Sequence, residues 1–204
     1  TKITGTLYFW RKTNGAGTAY CTWAGGTFVT NSNAQTVNPN GIIQTGQGFF
    51  VEALNASTSI QFNNTQRVSN TTGQFFKTKQ PVTERSTVWL NASNTLGDFS
   101  QMAVGYITDA TSGVDVFDGK YYNDSEFALN TLLNNEEYVI QGRPLPFDVS
   151  DVVPLAFKTT TAGNYSIAID HTEGLFSENQ DIILKDNLTG IETNLKTTAY
   201  SFTA

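Results

Sequence analysis

The residues best equipped for chemistry crowd one interval. Asp109, Asp115, Asp118, Asp124 and Glu126 all fall within "DATSGVDVFDGKYYNDSE", residues 109–126. Carboxylates this dense point to two chemistries. Glycoside hydrolysis needs two of them facing each other about 5–9 Å apart across a cleft, with an apolar pocket to raise the pKa of the acid. Binding a hard cation such as calcium needs roughly six to eight oxygens from carboxylates, amide side chains and backbone carbonyls. "DVFDG" offers Asp115 and Asp118 just before a glycine that permits a tight turn, so these two are the candidate calcium ligands. Their spacing is not that of an EF-hand loop, and a solvated acidic loop is the plain alternative. Tyr121 and Tyr122 follow directly. A sugar ring stacks its apolar face on an exposed aromatic ring, and neighbours in an extended segment point opposite ways. One of the two tyrosines is therefore expected to stand clear of the surface as a glycan-binding platform. Tyr8, Trp10, Tyr20 and Trp23 are further aromatic candidates, each with a place in the core as the alternative.

Nucleophilic catalysis has little to work with. The chain holds one histidine, His171, and one cysteine, Cys21. There is no G-x-S-x-G elbow and no H-E-x-x-H helix. His171 closes an alternating stretch, where a turn residue is the ordinary reading, and Cys21 reads as a small half-buried strand residue. A single cysteine also excludes a disulfide within the chain and any multi-cysteine zinc site. With a net charge of −6 and no basic stripe, the sequence excludes the usual nucleic-acid footprint. It carries no polybasic membrane patch. No run approaches the about 18 apolar residues needed to cross a bilayer as a helix, so no direct membrane insertion is expected. Seven N-x-S/T sequons, at Asn55, Asn63, Asn70, Asn91, Asn123, Asn164 and Asn187, follow from the Asn and Thr content.

The elements that must position these residues are strands. Hydrophobic residues make up 39% and aromatics 12% of the 204 residues, enough for a packed core, while charged residues are only 15%. Thr, Asn and Gly supply the polarity, which suits pleated sheets and turns. "TLYFW" (6–10) is apolar on both faces, and a strand of that kind is central or covered on its outer side. "TAYCTWAGGTFV" (18–29) continues as strand with a break at Gly25-Gly26. "GIIQTGQGFFVEA" (41–53) ends in an apolar strand, and alternation in "TSIQF" (58–62) predicts burial of Ile60 and Phe62. Strands are expected again in "STVWLNAS" (86–93), in "FSQMAVGYIT" (99–108) with Met102, Val104 and Tyr106 on one face, and in "GNYSIAID" (163–170). "EFALNTLLNN" supports one short helix near 126–134, with Asp124 or Ser125 as its N-cap. Many short strands with turn signals between them indicate an all-β, antiparallel β-sandwich or jelly-roll-like fold. "KTKQPVTE" (77–84) is the best boundary. It divides a smaller N-terminal β module, 1–78, from a C-terminal β-sandwich, 79–204, and the aromatics of 6–10 imply that the first packs on the second. The chain opens almost at once on strand-like residues, so it is read as a piece of a longer, processed polypeptide.

One stretch bears directly on catalysis. "VIQGRPLPFDVSDVVPLAF" (139–157) holds three of the five prolines. Each proline pushes the residue before it toward extended geometry and removes a backbone donor. Arg143, Pro144, Pro146, Asp148 and Asp151 are therefore read as a rigid structural corner, with Arg143 paired to Asp148 or Asp151, and not as an active-site loop. Pro154 belongs at a sheet edge or bulge.

The segments "GTLYFW", "GIIQTGQGFFVEA", "IQFNNTQRV", "WLNASNTLGDFSQMAVGYITDAT", "VDVFDGKYYND", "EYVIQGRPLPFDVSDVVPLAFKTTTAGNYSIAIDHTEGLF" and "DIILKDNLTGIETNLKTTAYSFTA" resemble, in order, a region of large secreted surface proteins of Bacteroidota, especially flavobacteria. That region precedes the C-terminal sorting domain of the type IX secretion system. The resemblance covers nearly the whole chain and is most specific over 137–176. Relatives of that kind begin earlier, with an "NP" strand motif, and run on to an aromatic-rich "RF" motif. Both are missing here, so the first module is expected to be truncated at its start. The resemblance implies an extracellular, cell-surface location and a non-catalytic role as stalk, adhesin or docking module. It implies as partners other domains of the same polypeptide and the type IX or outer-membrane surface machinery, and it implies no catalytic residue. A carbohydrate-binding module with a calcium-stabilised loop is the alternative that the residues themselves suggest.

Overall fold

In the computed structural model, residues 2–11, 17–35, 38–56, 59–68, 84–122 and 125–204 are described. The boundary expected at 77–84 lies, apart from Glu84, outside them, as does Asp124. The described residues form an all-β protein with two short 3-10 turns, at Asn64–Gln66 and Gly174–Ser177.

The N-terminal part is a three-stranded antiparallel sheet of β1 (Leu7–Trp10), β2 (Tyr20–Ala24) and β3 (Thr27–Val29). The break expected at Gly25-Gly26 is the β2–β3 turn, where both glycines take the positive φ that L side chains disfavour. Ile60 and Phe62, expected inside, are exposed. Residues 59–62 pair with no strand, so there is no sheet face for an alternating pattern to bury.

The large sheet takes β4 (Arg85–Asn94), β5 (Phe99–Ile107), β6 (Gly119–Lys120), β7 (Ala128–Leu133), β8 (Glu136–Arg143), β9 (Leu155–Lys158), β10 (Asn164–Glu173) and, from the C-terminus, β13 (Tyr200–Thr203). Between the last two, β11 (Ile183–Lys185) and β12 (Glu192–Asn194) make a separate hairpin. The order across the sheet is β13-β10-β4-β5-β8-β7-β9, with β6 added against β8. All pairs are antiparallel, as expected, except β5 with β8, which run parallel. The sheet rolls until its ends meet: Phe157 of β9 lies 5.2 Å from Tyr165 of β10 and 4.9 Å from Phe202 of β13, ring to ring. The enclosed core takes Val88, Leu90, Met102, Val104 and Tyr106 from one face of β4 and β5, closed by Phe127 and Leu129 opposite.

The short helix expected near 126–134 is instead strand β7. Its Ala128, Leu129, Asn130 and Thr131 are buried on both faces, which erases the two-residue alternation and leaves apolar residues at spacings that mimic a helical stripe. The deciding signal is "NN". Asn134 and Asn135 both have positive φ, the conformation of a two-residue type I′ hairpin turn, and they return β7 onto β8.

The other face of β4 and β5 receives the N-terminal sheet. Every residue of β5 is buried, because both its faces are covered. Trp89 is 1% exposed and donates its indole N–H to the Phe28 carbonyl at 2.6 Å. Arg85 donates to the carbonyls of Gly25 and Gly26, both at 2.6 Å. The Gln101 carboxamide accepts from the Thr30 backbone at 2.9 Å. This seam sets the two sheets face to face and fixes what meets at its rim.

Candidate functional site

At that rim, two adjoining cavities of about 310 and 200 Å³ open between the N-terminal sheet and the 109–126 loop. Tyr8, Phe50, Val51, Tyr121 and Tyr122 line the first. Thr4, Thr6, Val114, Asp115, Asp118, Glu136 and Tyr138 line the second, and Glu52 and Lys120 line both. The first stands at the small end of the roughly 300–1,000 Å³ usual for small-molecule sites.

The backbone explains why these groups converge. The Tyr8 hydroxyl donates to the Lys120 carbonyl at 2.8 Å, and the Thr6 hydroxyl donates to the Asp118 carbonyl at 2.9 Å. These two bonds seat β1 on β6. Backbone bonds between Tyr8 and Phe50 in both directions, at 3.0 and 2.8 Å, then bring the Phe50–Glu52 segment alongside. The alternation expected at the paired tyrosines is seen directly: Tyr121 turns inward beneath the Lys158 ammonium, 4.7 Å from its ring centroid, while Tyr122 is 46% exposed. Tyr122 packs against Tyr20 at 4.8 Å, Tyr8 at 5.5 Å and the half-exposed Phe50 at 6.1 Å. A four-ring cluster thus has Tyr8 as its floor and Phe50 and Tyr122 as its open faces. Burial pushes the Tyr8 hydroxyl well above the usual phenol range, so it serves as a fixed neutral donor. Trp10 is exposed but outside both cavities, and Trp23 is half-buried against Gly41.

The carboxylates have settled roles. Asp118 is 3% exposed; its two oxygens accept from the backbone N–H of Asp115 at 2.7 Å and of Gly142 at 2.9 Å. Burial raises its pKa to about 6, against the lowering effect of those bonds. Asp115 accepts from Thr111 and from the Phe117 N–H. All four oxygens of the pair accept hydrogen bonds, from Thr111, Phe117, Asp115 and Gly142. Among the described residues no three His, Cys, Asp or Glu side chains are placed to hold a metal ion. Asp115 and Asp118 brace the loop through these bonds. Asp109 occupies a positive-φ turn, and Glu126 accepts from Thr160 at 3.1 Å. Lys120 and Glu136 pair at 2.8 Å, which raises the lysine's pKa and lowers the glutamate's.

The corner residues lie apart from this rim. Arg143 donates from Nε to Asp151 at 2.9 Å and from its other fork to the second carboxylate oxygen. The Tyr106 hydroxyl donates to the same carboxylate at 2.8 Å. Burial opposes the Asp151 charge, yet the bonds from Arg143 and Tyr106 hold its pKa below the usual range. Asp148 accepts from Ser150 instead. Between them, Leu145 and Phe147 pack onto the core around Pro144 and the exposed Pro146. His171 stacks on Trp89 at 4.0 Å and pairs with Asp170, while the Cys21 thiol donates to Asn31 and Gln35, so the two share no partner.

Tyr121, Tyr122, Asp115 and Asp118 were singled out from sequence; Phe50, Glu52, Lys120 and Glu136 were not. Lys120 was adjacent to a named residue. Phe50 and Glu52 reach the site through long-range pairing that no local pattern encodes.

A family model described as "Domain of unknown function (DUF8693)" matches residues 1–204. The chain belongs to the DUF8693 family. No curated protein and no solved structure matches it.

Proposed function

We propose that this DUF8693 chain is a non-catalytic, extracellular β-sandwich region of a type IX-secreted cell-surface protein, and that it acts as an adhesin-like module holding a glycan in the rim cleft. The observation that carries the glycan reading is the pairing of two half-exposed rings, Phe50 and Tyr122, with charged hydrogen-bonding groups, Glu52 and Lys120, around one cavity. Stacking on the ring faces supplies affinity and the polar groups supply orientation. The surface and secretion part of the reading rests on the sequence resemblance. The non-catalytic part rests on the same resemblance, which implies no catalytic residue.

A glycan array tests it. Wild type is expected to bind at least one oligosaccharide class without cleaving it, and Tyr122→Ala to abolish that binding with the fold intact by circular dichroism. Release of shortened sugar by wild type that is lost in Asp115→Asn or Asp118→Asn would show a hydrolase instead.

A further inference from the structure

The charges around the second cavity are unequal: four carboxylates, from Glu52, Asp115, Asp118 and Glu136, face one lysine. Three of the four are answered. Asp115 and Asp118 receive loop donors, and Glu136 pairs with Lys120 at 2.8 Å. The Glu52 carboxylate, on an exposed residue, is the one of the four with no hydrogen bond and no ion pair to any described residue, though it lies near enough to Lys120 for their charges to interact. It stands where the two cavities join, beside the Phe50 and Tyr122 rings.

From this we infer that the cleft selects a sugar carrying a free amine, an oligomer of glucosamine type. The proposal rests on the glycan reading and deepens it. An ammonium group at the join would meet the unanswered Glu52 carboxylate on one side and the negative faces of the aromatic rings on the other, both favourable to a cation. The pyranose ring carrying it stacks in the first cavity. An N-acetylated sugar of the same length loses the charge and can offer Glu52 only a neutral amide N–H, a weaker donor than an ammonium. The acidic surroundings, and the overall charge of −6, favour approach of a polycation.

The test is calorimetric binding of fully deacetylated and fully acetylated oligomers of equal length, at low and at physiological salt, to wild type, Glu52→Gln and Tyr122→Ala. Wild type should prefer the deacetylated oligomer by at least about tenfold, and more so at low salt. Glu52→Gln should remove the preference while retaining the weaker, acetyl-tolerant binding, and Tyr122→Ala should weaken both. Equal binding of the two oligomers by wild type, or a preference that survives Glu52→Gln, overturns the amine proposal and leaves the glycan reading standing. Binding of neither oligomer also overturns the amine proposal, and the glycan reading falls with it only if the glycan array is blank as well.

Discussion

Replacing Asp118 by Asn should flatten the pH dependence of stability between pH 4.5 and 7.5. Asp118 is buried beneath the cleft with a pKa raised from 3.8 to about 6. The folded protein therefore holds this proton more tightly than the unfolded chain does. Stability conferred by the protonated form is fully present below the unfolded pKa and is lost as pH rises through the folded one. At about 1.36 kcal/mol per pH unit, the full shift corresponds to about 3 kcal/mol, of which about 2 kcal/mol falls between pH 4.5 and 7.5. Asn cannot ionise, so it removes that slope. It also leaves one of the two N–H groups, of Asp115 or Gly142, facing an amide NH₂ and no longer an oxygen, at a cost of about 1–3 kcal/mol. The variant is thus expected to be less stable than wild type at pH 4.5 and to close on it by about 2 kcal/mol at pH 7.5. Urea unfolding of both proteins at the two pH values measures the difference, and contributions from other groups cancel in it. Parallel slopes for wild type and variant would refute the reasoning and mean that the Asp118 charge is well solvated.

Three further outcomes follow from the seam and the corner. Trp89→Ala should lower unfolding free energy by about 3–5 kcal/mol, while Trp89→Phe, which keeps the ring but drops the indole bond to Phe28, should cost about 1–3 kcal/mol; denaturant titration reads both. Gly25→Ala should lower the melting temperature, because the new Cβ would lie 2.4 Å from the Phe117 ring at a positive φ; an unchanged melting temperature would mean that the turn and the loop are not in contact. Arg143→Ala should destabilise the fold at neutral pH by about 1–3 kcal/mol without touching glycan binding. Since the Asp151 pKa is depressed, the stability held by that pair should be present above the unfolded carboxyl pKa and vanish as pH falls through the folded one.

Much of the fold could be read from local pattern, and the failures have a common cause. Strands covered on one face, such as β10 with Tyr165 and Ile167 inward, alternate cleanly. β7 and β5 do not, because both faces are buried, and β7 then imitates a helix until its Asn134-Asn135 turn is weighed. Ile60 and Phe62 alternate yet stay outside, since pattern reports what a strand would bury and not whether a partner strand exists. The site was legible in half. Tyr122 could be picked out by its neighbour Tyr121 pointing inward, and Asp115 and Asp118 by their spacing. That spacing could not reveal that backbone donors from Phe117 and Gly142 tie the two carboxylates into the fold. Glu52 arrives through the Tyr8–Phe50 pairing, some forty residues away along the chain, and only the assembled sheets reveal that its charge is unanswered.

The account turns on whether the rim between the two sheets is a sugar site. The most direct measurement is a two-dimensional amide NMR titration of the isotope-labelled protein with the best-binding oligosaccharide. Saturable shifts confined to Tyr8, Phe50, Glu52, Lys120 and Tyr122 are predicted. Shifts centred elsewhere, such as the exposed β11–β12 hairpin around Leu188, or no shifts at millimolar sugar, would contradict it.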